Sequence, residues 1–212
     1  MAQWIVGLTL RDVPADVVSL ARAQQIDILA SLYAGTRTAL GLRLLASMKD
    51  ISEEGPVLTF PDGRPRSLFS GLYLQAVLAN VLELDNFVFA GHTGQSAVMV
   101  PLCLGQVTGA SGEDALLAQI IANEVAGRLG AVMTAGPQHG HMKAYLHRAA
   151  AASAASRLLG YDESATTLSL AIALAAPEYP LFPASFSPDT KALCVGEPTV
   201  GGVRAAYLAG QA

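Results

Sequence analysis

One short segment of the sequence concentrates side chains that could do chemistry. Glu83, Asp85, Asn86 and His92 lie within ten residues of one another, and apolar sequence flanks them on both sides. Histidine suits proton transfer because its unperturbed pKa of about 6.5 lies close to neutral pH. A neighbouring carboxylate can orient or charge-stabilise the imidazole. The segment therefore predicts a site for general acid–base chemistry, although a solvated helix end would leave the same carboxylates in the sequence.

The remaining histidines fall in the same third of the chain. His139 and His141 belong to a glycine-rich stretch that reads as a loop, and His147 follows shortly after. A single histidine near a helix end is often only a structural hydrogen-bonding group. The spacing of His139 and His141 would also allow a metal ion, but zinc sites usually add a third fixed ligand. We therefore predict no metal site.

Composition indicates one folded domain over residues 1–212 with an extensive apolar surface. Hydrophobic residues make up 52% and charged residues 14% of the chain, whereas roughly a quarter is charged in ordinary soluble domains. Part of the surface should therefore be covered, and we expect a homodimer with a large apolar interface. The net charge is −4 and the basic residues are scattered, which argues against binding to nucleic acid.

The sequence gives no reason to place the protein in or across a membrane. The most apolar stretch, residues 165–176, is shorter than the ~20 residues that a spanning helix needs. The first residues lack the basic region and cleavage site of an export signal, so we expect a cytoplasmic protein. Cys103 and Cys194 have no second thiol at metal or redox spacing and are interpreted as buried small hydrophobes.

The pattern of apolar residues predicts an all-α fold. A capping box at Ser111 and Asp114 opens a long core helix that we expect to end at Gly130. The helix over 67–84 is apolar nearly all round and should be central. A loop with a possible small hairpin is expected over 53–65. Helices are predicted over 12–35, 38–48, 67–84, 96–104, 111–129, 148–159, 164–176 and 200–208.

Several of these segments, in this order and spacing, resemble the MmgE/PrpD family, which includes 2-methylcitrate dehydratase and cis-aconitate decarboxylase. The stretch Val-Pro-Ala-Asp-Val-Val-Ser-Leu-Ala at 13–21 is similar to the family's opening helix, and 111–130 to its core helix. The segments 150–160, 190–191 and 202–209 are similar to later family motifs. The resemblance implies the family's helical domain, a multi-helix bundle.

Members of this family pair the helical domain with a second, lid-like α+β domain that helps to close the substrate pocket. The resemblance covers the helical domain only. It therefore implies either that a separate lid subunit completes the pocket or that the site is open.

The resemblance also assigns candidate catalytic residues one by one. Glu83 and Asp85 match acidic positions of the family's Asp-x-Asp-Asp motif, and His92 matches the histidine that follows it. His141 matches the family's second histidine, and Lys191 its active-site lysine. This set implies acid–base chemistry without a cofactor, with Lys191 pairing with a substrate carboxylate.

Departures from the family pattern affect the same segment. Glu83 and Asn86 stand where the family has aspartates, and Phe87 replaces a polar residue. Phe87 and Phe89 make the rim more apolar than a polycarboxylate pocket needs. We therefore count Asn86, Phe87 and Phe89 as candidate substrate-binding residues.

Three functions follow as hypotheses. The first is a lid-less lyase or isomerase that uses general acid–base catalysis on a small carboxylate-bearing substrate. The second is the same fold used as a cyclase or dehydratase for a larger, apolar biosynthetic intermediate, which the phenylalanines favour. The third is a non-catalytic partner subunit that keeps the helical fold as an interface, which the departures from the acidic motif favour. The fold alone does not fix function.

Overall fold

The computed structural model describes residues 1–88, 91–135, 143–175 and 188–211, and this part of the chain is helical apart from two short β-hairpins. The predicted all-α fold is confirmed. The helices are α1 (Ala2–Gly7), α2 (Ala15–Gly35), α3 (Ala39–Ile51), α4 (Leu68–Asn80), α5 (Gly94–Ala97), α6 (Met99–Thr108), α7 (Gly112–Ala135), α8 (Lys143–Leu158), α9 (Glu163–Ala175), α10 (Pro188–Leu193) and α11 (Gly196–Ala209). The strands are β1 (Val57–Leu58), β2 (Pro65–Arg66), β3 (Phe87–Val88) and β4 (Gly91–His92).

Helix α4 lies at the centre of the domain and leads into the candidate site. Its residues 74–80 are all buried, and it packs against α2, α5, α6 and α11. A helix that is apolar on nearly every side is stable only inside a protein, which is why the sequence predicted this position. The helix ends at Asn80, earlier than expected, so the segment carrying Glu83 and Asp85 is not helical.

Helix α8 is rich in alanine, and this allows α11 to approach it closely. A Cβ atom at Gly202 would lie 2.3 Å from the carbonyl oxygen of Arg148 and 2.6 Å from the Cβ of Ala151. Side chains do not tolerate such short contacts, so this crossing requires glycine. The short side chains of the alanine run at 149–156 make α8 thin enough for this close approach.

Helix α7 begins where the sequence predicted but runs further. Ser111 and Asp114 form the capping box, with the side-chain oxygen of Ser111 accepting from the amide of Asp114 (3.1 Å). The prediction that Gly130 ends the helix is wrong, because α7 continues to Ala135. A glycine inside a helix costs only about 1 kcal/mol, and the packing of α7 on α8 outweighs that preference.

Among the described residues, one helix is long and apolar enough to cross a membrane. It is the stretch 112–132 of α7, with a mean hydropathy of 1.2, and more than half of its most apolar window is buried inside the domain. Core helices of globular domains commonly meet the same criteria. The burial of α7 against α8 and α2 fits a core helix.

The expected hairpin in the loop after α3 is present and is held by a buried arginine. Strands β1 and β2 pair in antiparallel register, and Gly63 adopts the left-handed conformation that the turn requires (φ 64°). Both Nη atoms of Arg66 donate to Asp62 at 2.8 Å, and one also donates to Thr59. Because Arg66 is only 2% exposed, its charge depends on this carboxylate.

The buried thiol of Cys103 is expected to be unreactive. Burial raises its pKa to about 12, against the effect of a hydrogen bond from Gln75. The thiol therefore stays protonated near neutral pH, which fits the interpretation of Cys103 as a small hydrophobe.

Candidate active site

The segment after α4 turns sharply at Glu83. The Glu83 amide donates to the carbonyl of Asn80 (3.2 Å), and Glu83 has a positive φ of 50°. This left-handed conformation is unfavourable by about 1 kcal/mol or more for a residue that carries a Cβ. The Glu83 carboxylate in turn lies 2.5 Å from the Nζ atom of Lys191. The turn therefore brings a carboxylate to an ammonium group more than a hundred residues away in sequence.

Lys191 lies on α10 and is held against the end of α4. The side-chain amide of Asn80 donates to the Lys191 carbonyl at 3.3 Å. The side chains of Lys191 and Glu83 are 32% and 27% exposed, so the pair is partly shielded but still open to solvent. An incoming carboxylate could therefore approach the ammonium group.

Asp85 and His92 form the second side-chain contact of the site, between a carboxylate and an imidazole. The Nδ1 atom of His92 lies 3.2 Å from the backbone carbonyl of Asp85 and 3.1 Å from its Oδ1 atom. Hydrogen-bond geometry is met at the carbonyl, so Nδ1 donates there and the carboxylate acts through its charge. Both neighbours are acceptors, which assigns the proton of the neutral ring to Nδ1 and its lone pair to Nε2.

A buried glutamine connects the Asp85–His92 contact to Asn80, which binds the backbone of Lys191. The Nε2 atom of Gln95, on α5, donates to Asp85 Oδ2 and to Asn80 Oδ1, both at 3.0 Å. Asn80 in turn donates to the carbonyl of Lys191. A continuous chain of hydrogen bonds therefore runs from His92 to the backbone of Lys191. Buried polar groups that are paired in this way hold one another rigidly in place.

Sequence reasoning did not include Gln95 or Asn80. Both lie at buried positions of apolar helices, where a polar side chain needs a partner. A polar residue in an apolar helix was therefore the sequence feature that could have identified them. For Gln95 this feature lies only three residues after His92.

His147 was noted in the sequence but left out of the candidate site. It is fully buried on α8, and its Nδ1 atom lies 2.9 Å from the hydroxyl of Ser96 on α5. The contact fixes α5, and with it Gln95, against α8. The burial of His147 favours a structural role.

Asn86 and Phe87 face a groove beside the site. The Asn86 amide donates to the hydroxyl of Thr93 (3.2 Å), which donates to Asn123 (2.6 Å). Phe87 is 63% exposed and meets the ring of His92 edge-on, with 5.2 Å between the ring centroids. Strands β3 and β4 form an antiparallel hairpin that places Phe87 opposite His92. This hairpin was not predicted from the sequence.

Two of the candidate residues, His141 and Phe89, lie outside the described residues, as does His139. Within the described part of the chain, no group of three or more histidine, cysteine, aspartate or glutamate side chains is placed to hold a metal ion. The structure thus brings together Glu83, Asp85, His92 and Lys191, with Asn86 and Phe87 alongside.

The fold and this cluster define an all-α domain with a histidine–carboxylate pair and a lysine–carboxylate pair at the end of its central helix. The family model of the MmgE/PrpD N-terminal domain matches residues 1–212. The chain therefore belongs to the MmgE/PrpD family, and the matched part is the family's N-terminal domain. A search of curated proteins found no match.

Proposed function

We propose that the protein is a lyase or isomerase that moves a proton on a carboxylate-bearing small molecule by general acid–base catalysis. The observation that carries the proposal is the hydrogen-bonded chain from His92 through Asp85, Gln95 and Asn80 to Lys191. It connects the residue that carries the proposed base to the backbone of the residue that carries the cation. The family match supports this class, since the family includes dehydratases.

His92 is the proposed base. With Nδ1 donating to Asp85, the lone pair lies on Nε2, which can accept a proton from a substrate carbon. The nearby Asp85 carboxylate favours the imidazolium ion that forms. His141, which the family resemblance assigns as a second histidine, is the proposed partner in proton transfer.

Lys191 is the proposed electrostatic group. Removing a proton from the carbon beside a carboxylate places additional negative charge on that carboxylate, and an ammonium group stabilises it. In this structure the ammonium group of Lys191 is paired with the carboxylate of Glu83. A substrate carboxylate would share or replace that contact.

The proposal predicts isotope exchange even where net turnover is small. The protein is incubated in D₂O with a panel of di- and tricarboxylates, and ¹H NMR follows loss of the proton at the carbon beside the carboxylate. We expect exchange with at least one substrate, and His92→Ala should slow it by ~10²–10⁴-fold. Glu113→Gln, on the exposed first turn of α7, is the control and should exchange at the wild-type rate.

Two outcomes would contradict the proposal. Exchange that persists unchanged in His92→Ala would exclude His92 as the base. An absence of exchange across the whole panel would favour one of the other two functions.

A second function is favoured by Phe87. Its ring is largely exposed beside His92, which suits an apolar substrate better than a polycarboxylate. Under this alternative the chain is a cyclase or dehydratase for a larger biosynthetic intermediate. Phe87→Ala should then weaken substrate binding and Lys191→Met should not, whereas the first proposal predicts the reverse.

A further inference from the structure

A groove of about 730 Å³ lies beside the candidate active site. It is bounded by α1, the start of α2, strand β3 and the middle of α7. Its volume falls within the range of about 300–1,000 Å³ that is usual for small-molecule sites. The groove is therefore large enough for an organic ligand.

The walls of the groove are apolar and open to solvent. Leu20 is 68% exposed, Phe87 63% and Trp4 38%, and all three line the groove. Large apolar side chains that are exposed together on one concave surface indicate a surface used in binding. The two aromatic side chains also supply a large apolar contact area for a bound group.

The charged side chains of the groove are of one sign. Asp12, Asp27 and Glu124 line it, and no lysine or arginine does so among the described residues. Hydrogen bonds from Thr9 hold the pKa of Asp12 below its ordinary value, so this group is ionised at neutral pH. Glu124 is paired with Arg128, whereas Asp27 makes no ion pair within the described part of the chain.

The floor of the groove is polar, and the side chain of Gln24 in it has all its hydrogen bonds made. Gln24 Oε1 accepts from the amides of Asn123 and Gln119, both at 2.7 Å. Gln24 Nε2 donates to Asn123 Oδ1 at 3.1 Å and to Thr93 at 3.3 Å. This network fixes the shape of the floor. Selection of a ligand is then left to the apolar walls, the carboxylates and Asn86, whose Oδ1 atom is buried without a hydrogen-bond partner among the described residues.

We propose that this groove binds an amphipathic organic cation, that is, an amine or quaternary ammonium group attached to an alkyl or aryl body. The apolar body packs against Leu20 and the rings of Trp4 and Phe87. The cationic group lies beside Asp27, where ion pairing favours it. The groove shares Asn86 and Phe87 with the candidate reaction site, but Lys191, the proposed anion-binding group of that site, does not line it. Cation binding in the groove is measured without turnover, so either proposal can fail without the other.

The protein contains one tryptophan, Trp4, so its fluorescence reports occupancy of the groove. The probe is octyltrimethylammonium, titrated below the concentration at which it forms micelles. We expect a saturable change in Trp4 emission and an affinity about tenfold or more above that for octanoate, which has the same chain length and the opposite charge. Tetramethylammonium, which lacks the chain, should bind at least as weakly as octanoate.

Matched variants test the apolar wall and the charge separately. Leu20→Gln should weaken binding about fivefold or more, because it removes buried apolar contact with the probe. Ile26→Gln, at an exposed position of the same helix outside the groove, should not weaken it. Asp27→Asn should reduce the preference for the cation over octanoate, and Asp50→Asn, on α3, should not. Circular dichroism verifies that each variant keeps its helical content.

Three results would overturn the proposal. The first is the absence of a saturable change in Trp4 emission. The second is equal affinity for octanoate, which would mean an apolar groove without charge selection. The third is an emission that depends on protein concentration and not on the probe, which would mean that a second copy of the chain covers the groove.

Discussion

At the scale of single residues, the site depends on side chains that lie far apart in sequence and share hydrogen bonds. The carboxylate of Asp85 is buried and accepts a hydrogen bond from Gln95 on α5, while His92 on β4 donates to the Asp85 backbone carbonyl. Glu83 adopts a left-handed backbone and pairs with Lys191. Unfavourable backbone conformations of this kind cluster at functional sites, and this one places the Glu83 carboxylate against Lys191.

Lys191→Met tests the role of the ammonium group at this scale. The change keeps most of the side chain's apolar volume and removes its charge, so KM for a carboxylate substrate should rise about ten- to a hundredfold, the usual value of a hydrogen bond to a charged group. Glu83→Gln is the matched variant and should leave KM unchanged or lower it. Steady-state kinetics give both values. An unchanged KM in Lys191→Met would point to the apolar-substrate alternative.

At the scale of helices and hairpins, the apolar pattern predicted most of the fold. The central position of α4 followed from its uniformly apolar surface, and the start of α7 from the Ser111–Asp114 box. Helix ends were harder, because packing extended α7 through Gly130. The hairpin of Phe87 and His92 was missed because two-residue strands are too short to show an alternating pattern.

The candidate site was predictable only in part. Residue types and spacing alone identified Glu83, Asp85, Asn86 and His92 as a polar cluster flanked by apolar sequence. Lys191 was found through the family resemblance, since nothing local distinguishes it from a surface lysine. The linking residues Asn80 and Gln95 depend on contacts between α4, α5 and α10, which sequence spacing does not give.

The β1–β2 hairpin should lose stability at acidic pH. The hydrogen-bonded guanidinium of Arg66 lowers the pKa of Asp62 from its ordinary value of 3.8 to about 2. The unfolded chain therefore binds the proton more readily, and the stabilisation, complete above about pH 4, is lost as the pH falls toward 2. Asp62→Asn should cost on the order of 1–3 kcal/mol at neutral pH, because it weakens the pairing of a buried charge.

Urea unfolding of the wild type and Asp62→Asn at several pH values between neutral and 2.5 measures this difference. The gap in unfolding free energy should shrink at the acidic end. Asp50→Asn, at an exposed position on α3, is the control and should differ little from the wild type throughout. A gap for Asp62→Asn that does not change with pH would contradict the assignment.

Two glycine substitutions should have opposite effects on stability, one at the crossing of α8 and α11 and one on α6. Gly202→Ala should destabilise the protein by about 1–3 kcal/mol, because the added Cβ meets the backbone of α8. Gly105→Ala on α6 should stabilise it by roughly 0.5–1 kcal/mol, because the nearest atom to its Cβ is 3.9 Å away and alanine favours the helix. Thermal unfolding measures both, and a stable Gly202→Ala variant would show that the helices do not cross so closely.

At the scale of the whole molecule, surface composition predicts self-association. Beyond the groove, Ile26, Tyr33 and Leu42 are each more than half exposed. With 52% hydrophobic and 14% charged residues, the chain has few polar groups to cover its surface. We expect a homodimer whose interface is apolar and buries well over ~1,000 Å².

Light scattering at micromolar concentration measures the mass directly. The dimer should persist in high salt, because apolar burial is not screened by ions. A monomeric mass at these concentrations would contradict the prediction. Separation by salt would instead indicate an interface built on charge.

The central claim is that His92 and Lys191 act on the same substrate. The most direct measurement is a crystal structure of the protein with a carboxylate identified by isotope exchange. We expect a carboxylate oxygen within about 3 Å of Lys191 Nζ and the exchanging carbon within reach of His92 Nε2. A ligand bound away from both residues, with the Glu83–Lys191 pair unchanged, would contradict it.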